Sequence, residues 1–130
     1  MSHKTVLLLN RLSTLLALVS ASILLQTLYF KFTAHPESIA LFTSLGVEPW
    51  GRITTGVLEL IASILILIPR TRFWGAISVC AVMLGAIASH MFVLGISGTQ
   101  LSLFILACVA FVCADVSGAI VHYLKHTQKP

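Results

Sequence analysis

The sequence predicts an all-α integral membrane protein: an antiparallel bundle of four transmembrane helices, with a short amphipathic helix between the first two. Composition is the first reason. Hydrophobic residues make up 58% of the 130 residues and charged residues only 9%, with a mean hydropathy of +1.01. Soluble domains carry roughly 25% charged residues, so the solvent of this chain is largely lipid. The second reason is spacing. Crossing about 30 Å of hydrocarbon takes about 20 apolar residues, and runs of that kind recur over 12–32, 50–68, 73–94 and 101–121. A chain of this length forms one domain.

Positive charge sets the expected orientation. Lys4, Arg11, Arg70, Arg72, Lys125 and Lys129 fall on one side of such a bundle, and only Lys31 and Arg52 on the other. Cytoplasmic loops are the ones enriched in Lys and Arg, so both termini are expected in the cytoplasm of a plasma (bacterial inner) membrane. The formal charge of +4 is scattered over helix ends. It forms no basic patch with interleaved aromatics, which speaks against nucleic acid as a partner.

The first helix begins like a secretory signal, with Lys4 and Arg11 ahead of an apolar run and Val19-Ser20-Ala21 as a small-residue site. The run continues unbroken through Leu25 to Phe30, so a retained helix is expected. Its Ser13, Ala17 and Ala21, four residues apart, allow close helix approach. The connection that follows carries its own helix over 36–45. Pro36 suits a first helical position, Glu37 complements the helix N-terminus, and Gly46 suits the residue past the end. Ile39, Phe42 and Leu45 mark its apolar face. As the one long connection, it is the expected lid.

Trp50 opens the second span as an interfacial anchor, and Arg52 can snorkel outward to lengthen it. Pro69 to Arg72 makes a tight turn into the third span, whose Gly75, Ser78, Gly85 and Ser89 suit a central packing element. After the turn Gly95 to Gln100, the fourth span repeats small residues at Ala107, Ala110, Ala114 and Gly118. Cys80, Cys108 and Cys113 form no C-x-x-C pair and read as small apolar fillers.

Glu59 is the residue that demands explanation. A charge in mid-membrane costs roughly 2.5–3.5 kcal/mol on insertion scales, so it is paired, protonated or used. At about 1.5 Å per residue, Gln26, Glu59 and His90 lie at similar depth, roughly 6–10 Å from the outer end of their helices. A Gln26–Glu59–His90 cluster is therefore expected, with Thr55 one turn outward and Arg52 above it. Asp115 lies nearer the inner end, where a structural ion pair with Arg70 or Arg72 is expected. Glu59 then either fixes helix register or serves as a protonatable group in a ligand pocket. Two residues such as Glu59 and His90 do not complete a metal coordination sphere, and no metal is expected. His3, His122 and His126 read as solvated.

The phrases LFTSLG, EPWGRITTGVLELIASILILIPRTRFWGA and GAIASH resemble the DoxX-like family of small four-helix membrane proteins. Leu45-Gly46, Pro49, Gly56, Glu59-Leu60, Pro69, Gly75, Gly85-Ala86 and His90 carry the resemblance, over about 25–95. It implies an antiparallel four-helix bundle. The family's namesake is linked to a thiosulfate:quinone oxidoreductase, and other members are thought to accompany membrane redox systems. This chain has no cysteine pair, haem-type histidine pair, or flavin or nicotinamide motif, so no cofactor of its own is expected. The first expectation is an accessory subunit of a membrane redox or biosynthetic assembly, in contact with quinone or lipid. Its partners would be the bilayer and a larger membrane protein or a second copy. Two alternatives stay open: a small carrier or ligand-binding protein built on Glu59 and His90, and an intramembrane acid–base enzyme acting on a lipid-like substrate. The absence of any catalytic constellation weighs against the enzyme.

Overall fold

The computed structural model describes residues 1–129. Five α-helices follow in order: α1 His3–Phe32, α2 Pro36–Ser44, α3 Trp50–Leu67, α4 Arg72–Ser89 and α5 Thr99–Thr127. Between the last two, α4 runs directly into one π-helical turn, His90–Leu94. No strand occurs among the described residues. His3–Phe32, Trp50–Leu67, Arg72–Leu94 and Thr99–Thr127 are long and apolar enough to cross a membrane.

Two helices outrun their apolar cores. α1 starts at His3 and α5 continues to Thr127, where the sequence suggested 12 and 121. Hydropathy registers where lipid ends, whereas a helix continues as long as its backbone bonds are made. Lys125 and His126 in the last turn of α5 also complement its C-terminal dipole.

The four long helices form a ring in which α1 and α4 each pack against both α3 and α5, and barely touch each other. Small side chains let them approach. Ala17, Ala21, Ala62, Ala76, Ala110 and Ala114 are all buried. Where α1 meets α5, Ser13 Oγ donates to the Ser117 carbonyl at 3.1 Å and Ser117 Oγ to the Ser13 carbonyl at 2.8 Å. Further along, Ser20 Oγ donates to the Ala110 carbonyl at 3.1 Å. The paired numbers rise on one helix as they fall on the other, so these two run in opposite directions. In lipid, such hydroxyl bonds and close small-residue contacts hold helices together, because burial from water contributes nothing.

At the α3–α4 turn, Arg72 folds inward and is only 5% exposed. Nε donates to the Ile66 carbonyl at 3.0 Å, Nη2 to the Leu67 carbonyl at 3.5 Å, and Nη1 to Thr14 Oγ1 at 3.0 Å. The last carbonyls of a helix lack intrahelical donors, and Arg72 supplies them for α3 while tying in α1. The expected pairing of Asp115 with Arg70 or Arg72 is therefore not made. Asp115 and Arg70 are both exposed, and no ion pair joins them among the described residues. The cause is helix phase: Ala114, Ser117 and Gly118 face inward, which turns Asp115 outward.

α2 lies across one end of the bundle. Pro36 occupies its first turn, the ring of His35 accepts from the Glu37 N–H at 3.4 Å, and Phe42 is its buried anchor. Gly46 follows with a left-handed φ of +73° that a side chain would resist.

Candidate functional site

The inner face of α3 is the stripe Gly56, Glu59, Ala62, Ser63 and Ile66. Glu59 falls on it and is 3% exposed, so its carboxylate must find partners inside the bundle. They come from α1. Lys31 Nζ lies 3.0 Å from both carboxylate oxygens, and Thr27 Oγ1 lies 3.2 Å from one of them. The single Thr27 hydroxyl proton also faces the Leu24 carbonyl at 2.9 Å.

A second pair adjoins the first. Arg52 Nε donates to both oxygens of Glu48, at 2.9 and 3.1 Å, and Arg52 Nη1 donates to the Lys31 carbonyl in the last turn of α1. Lys31 thus joins both pairs, through its ammonium to Glu59 and through its carbonyl to Arg52. The two cations and two carboxylates compensate one another, which is how charges persist in a medium that does not solvate them.

Of the residues expected to converge, Glu59, Thr55 and His90 line one cavity, and Gln26 does not. Gln26 is exposed on α1: it shares Glu59's depth but not the facing side, and Thr27 and Lys31 occupy that side instead. Ala17, Ala21, Leu24 and Leu28 mark the inner stripe of α1, and carrying it one turn further reaches Lys31. That extension was the available signal, missed because depth was compared without helix phase.

His90 is not hydrogen-bonded to Glu59 among the described residues. It begins the π-turn, and its Nδ1 lies 2.8 Å from the Ala86 carbonyl. A carbonyl only accepts, so Nδ1 carries the proton and the neutral ring has its lone pair on Nε2. That Nε2 is buried and, among the described residues, has no hydrogen-bond partner. Thr55 Oγ1 donates to the Gly51 carbonyl at 2.7 Å, within its own helix.

Thr27, Lys31, Thr55, Glu59 and His90 form the polar end of a half-open cavity of about 530 Å³ lined by α1, α3, α4 with its π-turn, and α5, with α2 along one side. Leu24, Leu58, Met83 and Leu106 line its apolar part, and Glu37 and Leu41 of α2 line it together with Trp50 at the start of α3. Small-molecule pockets typically measure about 300–1,000 Å³, with apolar walls and a few placed polar groups. Among the described residues no cluster of three His, Cys, Asp or Glu offers a metal site, and the three cysteines are free.

Fold and site together define a helical membrane protein with several candidate spans and a buried ion-pair network at the polar end of a cavity. The chain belongs to the DoxX-like family, whose profile matches residues 13–122. The match extends beyond the quoted phrases on both sides, taking in most of α1 and α5. No curated protein and no solved structure matches the chain significantly.

Proposed function

We propose that this protein binds a small amphipathic molecule within the membrane, its polar head at Lys31, Glu59 and His90 and its apolar part among the leucines. The observation that carries this is the cavity itself: an apolar volume of ligand size ending on buried charges.

Gly85 provides the test. It lines the cavity, and a Cβ built on it would meet nothing within 4 Å. Gly85→Leu is expected to keep or raise thermal stability, since glycine inside a helix costs roughly 0.5–1 kcal/mol relative to alanine, while occupying the binding space. Lipid extraction and mass spectrometry of wild type and Gly85→Leu check this. The same retained small molecule on both proteins would overturn the pocket.

The charge asymmetry supports a plasma-membrane protein with cytoplasmic termini, so that α2 and the cavity face the outer side. Lys31 and Arg52, the two basic residues at the α2 end, are both paired with carboxylates. A reporter fused after the C-terminus is expected on the cytoplasmic side, and a periplasmic signal would reverse this orientation.

A second reading, an accessory subunit of a membrane redox or quinone-linked assembly, has its own observation. Asp115 is exposed on the groove between α4 and α5, beside Phe73, Cys80 and His122. An unpaired carboxylate at that depth favours a donor or cation from a neighbouring chain, either a larger membrane protein or a second copy. Asp115→Asn is expected to weaken co-purification of that partner from native membranes. Undiminished recovery would remove Asp115 from the interface.

A further inference from the structure

We propose that the molecule held in this cavity is a neutral amphiphile whose head is a hydroxyl, bound chiefly as a hydrogen-bond donor; this rests on the pocket reading above. Protons and lone pairs are unequally matched at the polar end. The Thr55 proton goes to the Gly51 carbonyl. The His90 ring proton goes to the Ala86 carbonyl. The Thr27 proton is held between the Leu24 carbonyl and Glu59. Lys31 has three N–H bonds, two of them facing the Glu59 oxygens. At these groups one N–H therefore remains, opposite lone pairs on Thr27, Thr55, both Glu59 oxygens and His90 Nε2; the further donors lining the cavity, on His35, Ser38 and Trp50, stand at its α2 side.

Nε2 is the sharpest case. His90 is 5% exposed, and Nε2 is a buried acceptor without a donor. Leaving it so costs free energy that a ligand proton recovers. Nε2 is itself enclosed, so Thr55 and Glu59, which line the same cavity, offer the first acceptors. The π-turn that starts at His90 agrees with a binding role, since such turns are rare and concentrate at functional sites.

Charge selects against other heads. The Lys31–Glu59 pair compensates itself, and Glu37, which also lines the cavity, is exposed on α2 where water screens it. A carboxylate or phosphate would compete with Glu59 for Lys31, and an ammonium would compete with Lys31 for Glu59. Either leaves one charge unpaired in a low-dielectric site. An ether or ketone only accepts, and beside Glu59 and His90 meets a single free proton. A hydroxyl donates to the wall and accepts from Lys31.

The test uses the full chain in lipid nanodiscs. Trp50 lines the cavity and Trp74 does not, so a Trp74→Phe background makes tryptophan fluorescence report on the cavity. The probes are farnesol, its methyl ether and farnesylamine, which share one tail. Farnesol is expected to bind about tenfold more tightly than either, the loss of roughly one hydrogen bond at a buried site. Thr55→Val is expected to narrow that preference. Equal binding of alcohol and ether overturns the donor inference and leaves the pocket standing. Preference for the amine overturns the neutral head. Traces from all three probes that are identical in wild type and Gly85→Leu overturn the pocket, and this inference with it.

Discussion

Lys31→Met is expected to destabilise the protein by about 3–5 kcal/mol, the range seen when one partner of a buried ion pair is removed. The Lys31 side chain is 12% exposed and that of Glu59 4%. Without the ammonium, Glu59 keeps only the shared proton of Thr27, and its carboxylate must either stay uncompensated or take up a proton. Methionine retains most of the volume, so the loss reports charge rather than packing. Adding Glu59→Gln to Lys31→Met is expected to restore most of the stability, because replacing both charges of a buried pair is often close to neutral. Thermal unfolding of the two variants in one detergent decides it. If the double variant is less stable than Lys31→Met alone, the pair is not what Glu59 requires.

Gly75→Ala is expected to be the most damaging single methyl in the chain. A Cβ at Gly75 would run into the α3 backbone at Leu65 and Ile66, and no rotamer relieves a clash with backbone. α4 would have to withdraw from α3, drawing Arg72 off the carbonyls it caps. Overpacking costs typically 1–3 kcal/mol, and the expected loss is about 3 kcal/mol, since nothing flexible can yield. Helix propensity alone predicts the opposite sign, a gain of roughly 0.5–1 kcal/mol. Gly85→Ala, in the same helix and facing open space, is expected to show that gain. Similar shifts in the two variants, measured by thermal unfolding, would refute the packing account.

The four spans, the short helix with Pro36 at its start, the isolated carboxylate at Glu59 and the family were all legible without coordinates. Each depends on quantities that add along one chain: hydropathy over a window, the residues that start and stop helices, and the cost of a charge in lipid. The fate of individual polar side chains was different. Gln26 and Lys31 stand five residues apart on α1, yet one faces outward and the other holds Glu59. Arg72 was expected beside Asp115 and instead caps α3, because the unsatisfied carbonyls at Ile66 and Leu67 lie within its reach. His90 shares a cavity with Glu59 but bonds to its own helix.

The sequence by itself therefore determined which segments are apolar and long enough to cross a membrane, and that a buried carboxylate needs an answer. Only the tertiary structure decided which groups answer it: Lys31 and Thr27 for Glu59, Glu48 for Arg52, and, among the described residues, none for His90 Nε2. The physical reason is that lipid solvates none of these groups. Each polar atom must bond to whatever the neighbouring helix presents, and what it presents depends on how the helices are rotated and how closely their small residues let them approach.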